Sequence, residues 1–307
     1  MSPAARAPRT IREVVALVNP HSRHGSATGA ADAAITALRA RGIGVDVRSG
    51  TDALDARRVA AEAVAGDADA LVVIGGDGTI AGALASACGT SMPVGVIPAG
   101  TGNDHARALA VPVGDPDAAA DIIAAGHTRA VDLAALQAGS ESMVFGTVAA
   151  IGLDAAVTER AVAMRWPRGQ ARYPLAAVAE IARLRPHPVE VTVDDEVLRL
   201  DAVMVAVGNT PTYGGGMRVC PDAQIDDGLL DVTVVAHTSR SRLLRLFPTI
   251  YRGTHVRHRG VHTRRSRSVS VRSADPLPVS ADGEILGVTP VTIDIRSRAV
   301  EFLVPAL

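Results

Sequence analysis

The sequence predicts an α/β domain built on a parallel sheet, followed by a strand-rich antiparallel domain of β-sandwich type. Three observations support this. Up to about Arg129, short apolar runs of strand type alternate with helical patterns, the signature of a parallel sheet covered by helices. Beyond Arg129, strand-type runs dominate and only three helices interrupt them. Two of the early strands also run directly into glycine-rich bends, which lie where open α/β sheets bind ligands. The boundaries expected are 1–129 and 130–307, with the last strand, 299–307, a candidate to return to the first domain. At 307 residues, 48% hydrophobic and with mean hydropathy +0.21, the chain can bury two cores or one large one and is not disordered.

The elements follow in order. Val14 to Val18 reads as a strand, Ala30 to Arg41 as an alanine-rich helix and Val45 to Arg48 as a second strand. Asp52 to Ala65 has helical spacing, with a cap at Thr51 or Asp52. Leu71 to Ile74 is a strand, Ile80 to Cys88 a helix and Val94 to Ile97 a strand. Asp104 to Leu109 is a helical turn and Asp115 to Ala125 a helix with an acid at its start. In the second half the strand candidates are Val131 to Leu136, Met143 to Ala149, Val189 to Val193, Leu198 to Val207, Leu229 to Val235, Ser268 to Val271, Val291 to Ile295 and Ala299 to Val304. The helices are Asp154 to Arg165, Gln170 to Leu184 and Ser239 to Tyr251.

Composition excludes several chemistries. All 31 basic residues are arginine, so a Walker phosphate loop, a Schiff-base enzyme and a protein-kinase ATP site, each of which needs lysine, are ruled out. Cys88 and Cys220 are too few for a disulfide framework or a zinc cluster. Net charge is −1, yet no acid lies between Asp231 and Asp275, where ten arginines fall from Arg240 to Arg272. Such a stretch suits a solvated surface or an anionic membrane. With aromatics at 2% of the chain, stacking on single-stranded bases is not expected, and no nucleic-acid partner is assigned. No apolar run approaches a membrane span and no leader pattern opens the chain, so a cytoplasmic protein is expected, with a transient peripheral place at the inner face of the membrane.

The motifs carry the chemistry. Val72 to Thr79 is a strand running into Gly75, Gly76, Asp77, Gly78 and Thr79. Glycines let backbone N–H groups approach a phosphate, and Asp77 stands among them within reach of magnesium or a hydroxyl. Gly100-Thr101-Gly102-Asn103-Asp104 follows the next strand and opens a helix, with Thr101 the foremost phosphate contact. His105 reads as a neighbour and not a base. Asn19-Pro20-His21-Ser22-Arg23 after the first strand offers amides, a hydroxyl and a guanidinium. Pro221 to Leu229 places adjacent acids, Asp226 and Asp227, before a strand, and Asp282-Gly283-Glu284 reads as a hairpin turn. Gly208-Asn209 and Tyr213 to Met217 leave two readings open: close packing near a lipid entrance, or a bulge without ligand contact.

These segments, with Gly152-Leu153-Asp154 and Asp226 to Asp231, resemble the diacylglycerol kinase and sphingosine kinase family, especially its bacterial soluble members. The resemblance covers seven motifs in the family's order. It implies an NAD kinase/diacylglycerol kinase-like nucleotide domain, ATP and magnesium as cofactors, and phosphoryl transfer to a lipid hydroxyl, diacylglycerol first. It places Asn19, Pro20, His21, Ser22, Arg23, Thr51, Gly75 to Thr79, Thr101 and Asn103 at the nucleotide. Glu284 matches the proton acceptor, Asp282 the acid that organises it or the metal, and Asp77 either a magnesium ligand or the group polarising the acceptor hydroxyl. A structural magnesium is implied at Asp227, with carbonyls of Gln224 and Leu229. The family usually follows Thr79 with an asparagine-glutamate pair; Ile80-Ala81-Gly82 stands here instead. NAD kinase and a non-catalytic binding module on the same fold are the rivals, and a homodimer is left open.

Overall fold

The computed structural model describes residues 7–18, 26–164, 166 and 172–306. It divides into two compact units, one of residues 1–133 with 298–307, the other of residues 134–297.

In the first unit the strands are β1 (Glu13–Val18), β2 (Gly44–Arg48), β3 (Ala70–Gly75), β4 (Pro93–Pro98) and the end of β15 (Val291–Leu303), in the order β2-β1-β3-β4-β15, all parallel. Every residue of β3 is buried, which for a period-2 strand means that both faces are covered. The covering helices pack in pairs, α1 (Ser26–Ala40) with α5 (Pro116–Ala125) and α2 (Ala53–Val64) with α3 (Asp77–Ala87). Asp52 is the cap of α2, accepting from Asp55 N, while Thr51 N donates to the Asp55 carboxylate at 2.8 Å. A five-residue helix, α4 (Asp104–Ala108), follows β4. β5 (Thr128–Ala138) carries the chain out of this unit.

The second unit is antiparallel. Its long strand β9 (Glu196–Gly208) pairs along its first half with β8 (His187–Val193), and along its second with β7 (Val148–Gly152) and β10 (Leu230–Ala236). β7 continues to β13 (Pro278–Ala281) and β14 (Glu284–Val288); β8 continues to β12 (Ser268–Ser273) and the start of β15. β6 (Glu141–Phe145) pairs with β5, and β11 (Val261–Ser266) with β10. Val205 and Val207 of β9 enter one apolar cluster with Phe145, Leu230 and Ile293. The alternate residues Met204 and Ala206 enter another, which includes Ile181 of α7 (Arg172–Ala182) and Leu243 and Leu246 of α8 (Arg240–Ile250). α6 (Leu153–Ala163) packs on α7.

Four readings change. Met143 to Ala149 is two strands, because Gly146 and Thr147 turn out of the ladder to bond a carboxylate described below. Val291 to Ile295 and Ala299 to Val304 are one strand, with its bend at Arg298, whose φ is 54° and whose N–H donates to buried Asp132 at 2.6 Å. β11 was not foreseen: Val-His-Thr-Arg-Arg-Ser shows little apolar alternation, and its pairing with β10 decides it. Helix α3 begins at Asp77, not at Ile80, so Gly78 and Thr79 lie in its first turn.

Candidate active site

In the first unit, β3 ends at Gly75, Gly76 is the N-cap of α3, and the amide ends of that helix open toward the bend. A Cβ on Gly78 would meet nothing within 4 Å, so an anion can approach the backbone there. Gly76 and Gly100 are glycine for another reason. A Cβ on Gly100 would lie 2.4 Å from the Gly76 Cα, so the two bends touch backbone to backbone. A Cβ on Gly102 would lie 2.5 Å from Asp77 Oδ2, so the carboxylate lies across that glycine.

Asp77 Oδ1 accepts from the His105 backbone N–H at 3.0 Å and stands 3.1 Å from its ring Nδ1. Burial alone would raise this carboxyl. The His105 ring and its charge, with the N–H groups of His105 and Asp104, outweigh burial and hold it below the usual carboxylate range. His105 is therefore the direct partner of Asp77, a role the sequence reading did not assign. Asn103 sits at φ 57° and is buried; its amide donates to Gly100 O at 2.8 Å and accepts from Gly100 N at 3.0 Å. That side chain closes its own loop. Thr101 is exposed beside it. Arg107, one turn on, donates to Gly102 O and lies 3.8 Å from Asp104, which sets a guanidinium at the second bend. Its signal was an arginine one helical turn past the glycines. Thr51 serves the start of α2 through Asp55. Asn19, Pro20, His21, Ser22 and Arg23 lie outside the described residues.

In the second unit, β13 and β14 form the expected hairpin around Asp282 and Gly283, both at positive φ. The Asp282 carboxylate is buried and accepts from Gly146 N and Thr147 N, each at 2.9 Å, and from the Thr147 hydroxyl. Asn209, fully buried, donates from its side chain to Gly146 O at 3.1 Å and from its backbone to Thr147 O at 2.8 Å. These bonds lock the hairpin to the break between β6 and β7. Asp282 is thus a positioning residue, and Glu284, partly exposed, is the carboxylate at the end of the turn. Thr147 was missed, because it reads locally as an ordinary polar residue beside a glycine, and Asn209, singled out with Gly208, was not read as part of this clamp.

Elsewhere in this unit, Asp154 at the start of α6 accepts from the Tyr213 hydroxyl at 2.6 Å, while its Oδ2 is buried without a partner. Burial pushes its carboxyl up to about 6 against the opposing Tyr213 bond. A Cβ on Gly208 would meet Cys220 at 2.9 Å, so that glycine serves close packing.

The expected structural magnesium does not fit the residues present. Asp227 Oδ1 accepts from Leu229 N at 3.0 Å, and its Oδ2 is bonded to the Arg265 guanidinium. A hard cation needs a largely oxygen shell around a free carboxylate, and this carboxylate is already neutralised. The set Asp227, Gln224 and Leu229 is corrected on that ground. Among the described residues no group of three His, Cys, Asp or Glu side chains could hold a metal ion.

The diacylglycerol kinase catalytic domain matches residues 13–136, and the YegS C-terminal NAD kinase beta sandwich-like domain matches residues 146–304. A Mycobacterium tuberculosis protein named "Diacylglycerol kinase" is 46% identical over 96% of this chain and 96% of its own. A Xanthomonas campestris protein named "Probable lipid kinase YegS-like" is 32% identical over 82% of this chain and 84% of its own. A crystal structure of a diacylglycerol kinase from Bacillus anthracis shares the fold, with a TM-score of 0.74 and 21% identity over 97% of this chain and 98% of that one. The chain belongs to the family of diacylglycerol kinases and YegS-like lipid kinases. No described helix is long and apolar enough to cross a membrane.

Proposed function

We propose that this protein transfers the γ-phosphoryl group of ATP, with magnesium, to the free hydroxyl of diacylglycerol, giving phosphatidic acid. The observation that carries the reading is the 46% identity, over nearly the whole of both chains, to a protein named for that activity. The geometry of each unit is compatible with it. The first turn of α3 offers bare backbone at Gly78 to a phosphate, Thr101 adds a hydroxyl, and Arg107 supplies the positive charge that no lysine can. Asp77, kept ionised by His105, is suited to hold the cation that accompanies the nucleotide or to polarise the acceptor hydroxyl. Magnesium, when bound with ATP, would spread the charge that develops on the phosphoryl oxygens. Glu284, on a turn fixed by Asp282, is the candidate to take the proton of the incoming hydroxyl.

Access to the lipid would come from reversible attachment to anionic membrane. Arg240, Arg242, Arg245 and Arg252 are exposed along α8 and just beyond it, beside exposed Leu244 and Tyr251. Each well-placed arginine contributes roughly 1 kcal/mol at such a surface. Arg264 and Arg265 are less available, being paired with Glu196 and with Asp227 and Asp231.

The test is purified protein with ATP labelled at the γ-phosphate, offered dioleoylglycerol in mixed micelles and, separately, NAD. Labelled phosphatidic acid is the expected product. Label in NADP alone would favour the NAD kinase-like rival, and nucleotide binding with no transfer to any lipid would favour a binding module.

A further inference from the structure

The turn at Asp226–Leu229 is where the family resemblance implied a metal, and it holds an arginine instead. Arg265 stands on β11 directly across the antiparallel ladder from Asp231 on β10. From that position its Nη2 reaches Asp227 Oδ2 and its Nε lies 3.3 Å from Asp231 Oδ2. The Asp227 carboxylate is completed by Leu229 N, so it caps its own turn while gripping the neighbouring strand. The charges of Asp227 and Asp222 both act on Asp231, and Arg265 opposes them. Three acids therefore share this corner, and one guanidinium answers them.

We propose that Arg265 does at this corner the work of a structural divalent cation, bridging Asp227 and Asp231 so that the turn is fixed without metal. The physical case rests on shape and charge. A guanidinium is a planar fork of donors that can serve two carboxylates at once and stays charged at any working pH. Magnesium demands near-octahedral oxygen coordination and keeps several waters, which a corner already closed by a side chain does not offer. In a chain whose cations are all arginine, the substitution needs no special residue, only a register that places arginine opposite Asp231. Metal is then required only with the nucleotide, so folding and metal are uncoupled. This inference does not depend on the identity of the lipid acceptor.

Thermal unfolding of the full-length protein tests it, measured in EDTA and in excess magnesium chloride without nucleotide. The wild type should give the same Tm in both. Arg265→Met should lower Tm by about 2–4 °C, and Asp227→Asn added to it should cost nothing further, since the partner is already gone. A wild-type Tm that falls in EDTA and returns with magnesium overturns the proposal, whatever the variants do. So does an Arg265→Met protein as stable as the wild type, or fully additive losses in the double variant.

Discussion

Two acids stand on glycine-rich turns in this molecule, Asp77 in the first unit and Asp282 in the second, and their surroundings differ. Asp77 is held by the His105 ring and by the N–H groups of His105 and Asp104, and its Oδ2 lies over Gly102, where any side chain would collide with it. Asp282 has both oxygens bonded, to two backbone N–H groups and a hydroxyl, and is buried. Each carboxylate has three donors, so their number does not separate the two; exposure does. The Asp77 side chain keeps 20% of its surface open and retains capacity for chemistry, whereas Asp282 is buried and builds structure.

The sharpest way to break this contrast is to remove the acids. Asp77→Ala, and equally Glu284→Ala, should reduce transfer by about 100- to 10,000-fold in the labelled-ATP assay; undiminished lipid phosphorylation by both variants would refute these assignments. Asp282→Ala should instead act on the fold, costing about 3 kcal/mol in denaturant unfolding, because two buried N–H groups and the Thr147 hydroxyl lose their acceptor. A stability equal to wild type would mean that the acid is not the clamp described.

Smaller effects sharpen the comparison. Gly100→Ala should cost about 1–3 kcal/mol, since its Cβ would lie 2.4 Å from the backbone of Gly76; an unchanged unfolding midpoint would show that the two bends are not in contact. Asp154 gives a test by pH. Its folded carboxyl titrates at about 6 against about 3.9 when unfolded, so the cost of ionising it is absent below about pH 4 and complete above about pH 6. Wild-type stability attributable to this group therefore falls as pH rises through that window. Asp154→Asn should be more stable than wild type by about 3 kcal/mol at pH 7.5 and equal to it at pH 4. A difference of the same size at both pH values would remove ionisation as its cause.

Much of the fold was legible because burial writes a period into the chain. β1 after Glu13, β3 and β4 carry no polar side chain, and the caps Asp52, Asp115 and Ser239 announce their helices. β11 was not legible, since an arginine-rich strand with one apolar residue carries no period and is formed by its partner. The bend at Arg298 hides likewise, because its acceptor Asp132 is 166 residues away in sequence. At the site, Asp77 and the acidic hairpin could be read from glycine spacing. His105, Thr147, Asn209 and Arg265 could not, as each acquires its role from a group distant in the chain.

The amino-acid order by itself determined where strands and helices fall, which bends are bare backbone and, through the lack of lysine, which phosphate chemistries are excluded. Those properties are local, set by side-chain period and backbone freedom within a few residues. Only the tertiary structure decided that Asn103 closes a loop, that Asp282 is a clamp and that Asp227 holds an arginine. A carboxylate's function depends on the donors and charges that folding gathers around it, and those come from segments the sequence keeps far apart.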